Sequence, residues 1–238
     1  MLMSLSALAT ANKTYTLAVE INPPFTFVNE QKQIRGLSVE MLELLAVSQG
    51  AELETIECPF ARCMKLAEQG QADFIFGIIK SAERETFFHF IEPPFYSSTT
   101  HYSFYQLKNP ANPIRSLNDL QNQRIGVQRG ARHFSKFDND PDISKVEIAG
   151  IPTLIEMLRK KRIEAFLMLT LSAEPYLKKF DPRGHIKASP FSYEDRKAGF
   201  IALSKKSKHV RDLTTLNTAM ASLKQKGDIE KVLRKYSL

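Results

Sequence analysis

Short apolar runs alternate with amphipathic segments along this chain, and the pattern predicts a mixed α/β protein. The helix predicted at residues 37–48 carries its apolar face on Val39, Leu42, Leu45 and Ala46. The predicted elements are, in order, a strand at 15–21, this helix, a strand at 53–56, a helix at 61–69 that Gly70 ends, and a strand at 74–79. This β-α-β-α-β order is half of a doubly wound sheet.

A second series of the same order follows, so the pattern predicts two similar halves. Its strands are predicted at 124–128, 146–148 and 165–169, and its helices at 131–137, 153–161 and 172–180. An alternating strand at 101–107 and an apolar strand at 198–203 are interpreted as the two hinge crossings. The predicted lobes are therefore 12–103 plus 199–238 and 104–198, and helices at 210–224 and after Gly227 return the chain to the first lobe. This arrangement is a clamshell.

Composition and charge narrow the class of protein. The 238 residues, 43% of them hydrophobic, suffice for one large domain or for two lobes. A net charge of +7 would suit a nucleic-acid or membrane-surface partner. The charge is dispersed, however, and its densest groups, at 159–162 and 205–211, fall near predicted helix ends, where cations complement the helix dipole. We interpret the charge as solvated surface and expect no nucleic-acid partner.

The first residues resemble the end of an export signal. Residues 1–11 read MLMSLSALATA and end in Ala9-Thr10-Ala11, a pattern like a signal-peptidase site. The basic residues that open a signal peptide are missing, so the segment is interpreted as a signal-peptide remnant, with an unrelated leader or cloning scar as the alternative. No apolar run in the sequence approaches the length of a membrane-spanning helix. Export without such a span predicts a periplasmic protein, with a protein tethered by some other means as the alternative.

Two cysteines, Cys58 and Cys63, flank Pro59. A zinc site needs about four ligands, and no histidine pair lies nearby at metal-binding spacing, so we expect no metal and no other cofactor. An exported chain permits a disulfide between them. The alternative is two buried thiols that pack at a helix start.

The segment 73–96 says most about function. Its strand at 74–79 contains Gly77, and a polar turn with Glu83 and Arg84 follows at the carboxyl end of the strand. Ligands bind at the carboxyl ends of strands in open α/β sheets. The planar fork of an arginine can hold a carboxylate there through two hydrogen bonds.

This segment resembles the T-x-E-R stretch, with its following phenylalanine and Pro-Tyr-like turn, of type II periplasmic solute-binding proteins that feed polar amino acids to ABC importers. The sequence GLSVEM at 36–41 resembles the G-F-D-V-D-L helix start of that family, and LQNQRIGVQRG at 120–130 its D-L-x-G-K-x-V-G-V-x-x-G strand and loop. The resemblance runs from about Tyr15 to the end. It implies a two-lobed fold, a monomer, an ABC permease or membrane receptor as partner, and Arg84 as the residue that binds the ligand's carboxylate.

The resemblance also implies the other walls of the ligand site. From the first lobe it selects Phe25, Phe60, Gly77, Ile78 and Arg84, and with them Glu20 at the end of the first strand. The second lobe is expected to contribute the loop after its first strand, with Gln128, Arg129, Gly130 and Arg132, where a glycine at a helix start would favour anions. Arg129 and Arg132 add positive charge that most members of the family lack at these places. The alternatives are ordinary core aromatics for the two phenylalanines, a structural ion pair for Arg84, and solvent-facing arginines for Arg129 and Arg132.

Two departures from the family change the expected ligand. Relatives that bind α-amino acids have an aspartate for the ammonium group where this chain has Leu169, followed by Thr170, and a threonine where it has Ile79. A buried ammonium without a counter-charge is costly. We therefore expect a small carboxylate without an α-ammonium group, and a second anionic or aromatic part would fit it as well. A sensor without transport is the second hypothesis. A lyase or dehydratase on the same fold is a third, although the sequence contains no recognised catalytic constellation.

Overall fold

The computed structural model describes residues 13–237, so the predicted leader at 1–11 lies outside the described part. The first lobe begins with strands β1 (Lys13–Val19), β2 (Phe27–Val28) and β3 (Ile34–Arg35), helix α1 (Leu37–Ser48), strand β4 (Ala51–Glu57), helix α2 (Phe60–Gln69), strand β5 (Phe74–Ile78), helix α3 (Ala82–Glu85) and strand β6 (Phe88–Phe90). Strand β7 (Tyr96–Leu107) leads to the second lobe.

The second lobe contains β8 (Arg124–Gln128), α4 (Ser135–Asp138), β9 (Ser144–Ile148), α5 (Ile151–Arg159), β10 (Ala165–Leu169) and α6 (Thr170–Phe180). Strand β11 (Ile186–Ser204) returns the chain to the first lobe, where α7 (Leu213–Gln225) and α8 (Asp228–Lys235) end it. Short 3-10 turns occupy Leu117–Leu120 and Val210–Asp212.

Each lobe is a doubly wound sheet with its own core on both faces. In the first lobe β1 lies between β4 and β5, parallel to both. Alternate residues of β1 point to opposite faces, because side chains alternate along a strand. Leu17 packs in the core with α1, α7 and α8, and Ala18 in the core with α2. The second lobe repeats the order, with β8 between β9 and β10, and Phe166 and Leu167 of β10 lie in its two cores.

The start of α1 shows why this sequence folds as it does locally. Gly36 precedes the helix with a φ of 125°, a value that only glycine adopts without strain. A Cβ at this position would lie 2.5 Å from the carbonyl oxygen of Phe25. The chain therefore needs a glycine to bring the Phe25 loop against the helix start, and that loop forms part of the wall between the lobes.

The lobes are joined by two long antiparallel strands. Strands β7 and β11 pair from Leu107 with Ile186 to Tyr96 with Gly199, and β11 then pairs with β5. Within the described residues the main sheet follows the order β4-β1-β5-β11-β7-β10-β8-β9, with β6 beside β11. This topology is the predicted two-lobed α/β fold with two crossings, which is confirmed. The lobe boundaries predicted at 103/104 and 198/199 fall inside β7 and β11, and the division at those residues stays a prediction.

Three predicted elements were wrong in extent. The first crossing strand, predicted at 101–107, begins earlier, at Tyr96. The return strand predicted at 198–203 is only the end of β11, which begins at Ile186. The helix predicted at 131–137 is a single turn, Ser135–Asp138, preceded by extended backbone at Phe134. The backbone N–H of His133 donates to Asp138 Oδ2 at 2.8 Å, which fixes a turn here. No helix starts at Gly130, and the anion-favouring helix terminus expected there is absent from this described loop.

Candidate functional site: the cleft between the lobes

A cavity of about 670 Å³ lies between the two lobes. Its walls come from the carboxyl ends of β1, β5, β8 and β10, from the loops that follow them, and from β7 and β11. Open α/β sheets bind ligands at this edge. Its volume lies within the range of small-molecule sites.

Arg84 is the buried cation of this cavity wall. Ser81 begins the helical turn α3, its side chain accepting from the Arg84 backbone N–H at 3.3 Å, and this turn directs Arg84 inward. Arg84 is only 6% exposed. Its guanidinium donates from Nη1 to the Ile79 carbonyl at 2.9 Å and from Nη2 to the Gly130 carbonyl of the other lobe at 3.2 Å. These bonds use two of the five N–H donors of an arginine, so donors remain for a ligand.

Burial and charge both act on this guanidinium. Removal from water lowers the pKa of Arg84, and the nearby positive charge of Arg132 lowers it further. An arginine stays protonated under such perturbations because its ordinary pKa is so high. A desolvated cation therefore borders the cavity, and an anionic group is the natural partner for it.

Glu20 lies at the end of β1 and contacts the second lobe. Nε2 of Gln128 donates to both carboxylate oxygens of Glu20, at 2.7 and 2.6 Å, and the backbone N–H of Phe60 donates to one of them at 3.3 Å. Burial raises the pKa of Glu20, although these hydrogen bonds oppose the shift. The carboxylate is thus already engaged by neighbours in both lobes.

Two further contacts join the lobes across the cleft. The Tyr176 hydroxyl on α6 donates to the Ile21 carbonyl at 2.7 Å. Arg132 pairs with Glu83, and both side chains are at least half exposed. Together with the contacts of Arg84 and Glu20, these bonds hold the lobes in direct contact around the cavity.

The aromatic residues predicted for the site have two roles in the packing. Phe25 and Phe60 line the cavity and also pack against the two cores of the first lobe. Each phenylalanine therefore both packs in the hydrophobic core and borders the candidate site, although the sequence analysis treated these roles as alternatives. Phe76, which the sequence analysis did not select, also lines the cavity and stacks on Phe95 at 4.4 Å between ring centroids.

Most residues selected from the sequence lie at this cavity. Those that line it are Glu20, Phe25, Phe60, Gly77, Ile78, Arg84, Gln128, Arg132 and Leu169. Two selected residues are outside its lining. The side chain of Arg129 is 57% exposed and lies 3.9 Å from Glu147, and Gly130 contributes only the carbonyl that Arg84 binds. The ligand-binding roles of all these residues stay predictions.

Sequence reasoning missed several polar groups of the cavity. His133 is buried in its wall and held through Nδ1 by Asp138 at 3.2 Å. Asn22 and Ser172 also line the cavity, and Asn22 Oδ1 and Ser172 Oγ are buried without a hydrogen-bond partner among the described residues. A signal for Ser172 was available, since it begins a predicted helix directly after a strand that ends at the cleft.

Cys58 and Cys63 are joined by a disulfide in the structure. The bond links the end of β4 to the first turn of α2, next to Phe60. Among residues 13–237 no group of three or more histidine, cysteine, aspartate or glutamate side chains is placed to hold a metal ion. In the same part of the chain, no helix combines the length and apolar character needed to cross a bilayer.

Two doubly wound lobes, two connecting strands and a cavity at the strand ends of both lobes define a two-lobed solute-binding protein. The chain belongs to the bacterial extracellular solute-binding proteins, family 3, whose family model matches residues 15–238. The resemblance noted in the sequence is thereby confirmed.

Curated relatives resemble this chain in sequence, and solved structures resemble it in fold. A probable histidine-binding protein of Campylobacter jejuni is 25% identical over 96% of this chain and 87% of its own length. The L-cystine-binding protein TcyJ of Escherichia coli strain K12 is 23% identical over 90% of this chain and 78% of its own. An ancestral arginine-binding protein, solved bound to arginine, superposes with a TM-score of 0.79 at 22% identity and covers 94% of this chain and 98% of that one.

Proposed function

We propose that this protein is a periplasmic solute-binding protein that captures a small carboxylate-bearing solute between its lobes for delivery to an ABC importer. The observation that carries the proposal is the buried guanidinium of Arg84, which borders the cavity and donates to carbonyls of both lobes. A carboxylate that binds the remaining donors would be held at the seam where the lobes meet. Ligand binding and lobe closure would then support each other.

The family supports the remaining parts of the proposal. The family is described as extracellular. Relatives named for histidine and cystine resemble the chain in sequence, and a structure named for arginine shares its fold. Amino acids carry the carboxylate that Arg84 would bind. The same relationship supports the proposed periplasmic location and the proposed ABC permease partner.

The second lobe supports a solute without an α-ammonium group. Leu169 closes β10 at the position where the family resemblance expects an aspartate, and it lines the cavity. Thr170 follows, and its hydroxyl is bonded to Ser103 at 2.8 Å. The carboxylate of Glu20 also borders the cavity, but Gln128 and Phe60 already bind it. At Leu169 itself, an ammonium group would lose hydration without gaining the counter-charge that an aspartate there would supply.

A thermal-shift screen tests this function. Wild-type protein would be scanned with the twenty amino acids, cystine, keto acids, organic acids and short peptides. A ligand at about a hundred times its dissociation constant stabilises the folded state by about 2.7 kcal/mol, which raises the melting temperature of a chain this size by roughly 5 to 10 °C. We expect such a shift with a carboxylate that lacks an α-ammonium group.

The possible outcomes separate the parts of the proposal. A shift of that size with histidine, arginine or cystine would overturn the specificity while keeping the solute-binding function. No shift with any carboxylate would overturn the function itself. The same protein with Arg84→Met serves as the control, because a shift that persists in this variant does not come from the proposed site.

A further inference from the structure

Helix α6 begins at the cavity without a cap. Its first three residues, Thr170, Leu171 and Ser172, all line the cavity, and no side chain caps the helix start. The first N–H groups of any α-helix have no partner within the helix. They carry a partial positive charge and attract oxygen acceptors and anions.

Ser172 gives an independent indication that a ligand binds here. The residue is 2% exposed, and its Oγ is buried with no hydrogen-bond partner among the described residues. Most buried hydroxyls in folded proteins are hydrogen-bonded, and an exception calls for an explanation. A ligand oxygen in the cavity would accept from this hydroxyl and from the neighbouring backbone N–H groups together.

The opposite wall presents a second unsatisfied group. Asn22 Oδ1 is also buried without a partner in the described part of the chain. Asn22 follows Ile21, whose carbonyl accepts from Tyr176, and Tyr176 lies one turn beyond Ser172 on α6. A 180° flip of the Asn22 side-chain amide would place its NH2 group, with two N–H donors, where its oxygen now lies.

The charged side chains of the cavity wall include a buried carboxylate near this end, that of Glu20, whose charge acts on Tyr176 and which accepts hydrogen bonds from Gln128 and Phe60. Lys197 lines the cavity, although Asp195 pairs with it at 2.6 Å. Glu174 also contributes to the lining, but it is exposed, and residues two apart on a helix do not share a face. Leu169, which precedes the helix, brings no negative charge. The first turn of α6 is therefore the part of the second lobe best suited to an acceptor oxygen.

We propose that the first turn of α6, with Ser172, is a second oxygen-acceptor subsite, so that the solute carries a carboxylate at each of two ends. One end binds Arg84 in the first lobe, and the other binds Ser172 and the α6 N–H groups in the second. The inference rests on the proposed function, because it needs a solute already held by Arg84. It narrows the substrate class to small dicarboxylates.

Calorimetry with a matched series of solutes tests the subsite. The probes are straight-chain dicarboxylates from succinate to pimelate, the monocarboxylates of equal length, and the corresponding ω-amino acids. We expect one dicarboxylate to bind at least tenfold more tightly than its matched monocarboxylate, since a hydrogen bond to a charged group contributes about that factor. Equal or tighter binding of the monocarboxylate or the ω-amino acid would overturn the subsite.

The variant Ser172→Ala separates binding from folding. Because its hydroxyl has no partner, we expect the ligand-free melting temperature to stay unchanged or to rise slightly, while the preference for the dicarboxylate falls about tenfold. The control is Ser207→Ala, a buried serine outside the cavity whose Oγ binds Asp73. That variant should melt earlier and keep the preference.

Failure of this inference and failure of the proposed function give different results. If Ser172→Ala retains the preference, or melts earlier by as much as Ser207→Ala, the second subsite is wrong although carboxylates still bind. If no carboxylate binds the wild type at all, the function itself is wrong, and the subsite with it.

Discussion

Replacement of Arg84 by methionine should weaken carboxylate binding by roughly a hundredfold or more. Methionine keeps an unbranched apolar stem of similar length and removes only the guanidinium. Arg84 is almost fully buried, so its contact with a carboxylate would form in a desolvated site. Truncation of one partner in such a buried, charged contact costs about 2 to 5 kcal/mol. A cost of about 2.7 kcal/mol corresponds to a hundredfold change in affinity.

The same substitution also removes bonds within the protein. The carbonyl oxygens of Ile79 and Gly130 lose the hydrogen bonds that the Arg84 guanidinium donates to them. Hydrogen bonds from a charged donor contribute about 1.5 to 3 kcal/mol each, and the substitution also removes the desolvation cost of the buried guanidinium, which offsets part of that loss. We therefore expect a modest fall in the melting temperature as well, so binding must be measured at a temperature where both proteins are folded.

Titration calorimetry with the best solute of the screen is the assay, and Arg132→Met is the matched control. Arg132 lines the same cavity and bears the same charge, but it is half exposed and already paired with Glu83. It should lose less than tenfold in affinity, as expected of an exposed ion pair. Equal losses in the two variants would refute the anchoring role and leave only a general effect of positive charge. Unchanged affinity in Arg84→Met would refute it outright.

Two further predictions concern other parts of the cleft. Burial raises the pKa of Glu20, so its ionised form opposes folding at neutral pH. The variant Glu20→Gln keeps a side-chain oxygen that can accept from Gln128. We expect it to melt at a higher temperature than the wild type at neutral pH, and this difference should shrink as the pH falls to the ordinary glutamate pKa of 4.5 and below. A difference in melting temperature that does not depend on pH would contradict this prediction. Thiol labelling of periplasmically expressed, denatured and unreduced protein should find neither Cys58 nor Cys63 free, and reduction should lower the free energy of unfolding by only about 2 kcal/mol, because the closed loop is short. Labelling of two thiols would contradict the pairing.

The sequence predicted elements well where burial makes the pattern regular. The helix at 37–48 and the strands at 124–128 and 165–169 match α1, β8 and β10, since each packs an apolar face into a core. The first half of β11 was missed because it has little core to pack against. Its residues alternate between partly buried and exposed, and the register shifts around Pro190, which cannot donate to a ladder.

The site could be predicted in part for the same reason. Gln128 is the last residue of a regular strand, and Arg84 lies in the turn after another, so the strand ends located both at the cleft. Arg129 was misplaced with respect to the cavity because the orientation of a loop side chain depends on tertiary contacts, here with Glu147. Asn22 was missed because only the packed structure shows that its polar atom lacks a partner. Ser172 could have been selected, because it begins a predicted helix that follows a strand ending at the cleft.

The central claim is that Arg84 binds the carboxylate of a solute held between the lobes. The most direct measurement is a crystal structure of the protein with the solute that gives the largest thermal shift. We predict carboxylate oxygens within hydrogen-bond distance of the Arg84 guanidinium, about 2.7 to 2.9 Å, with both lobes in contact with the solute. A solute bound outside this cavity, or inside it with its carboxylate away from Arg84, would contradict the claim.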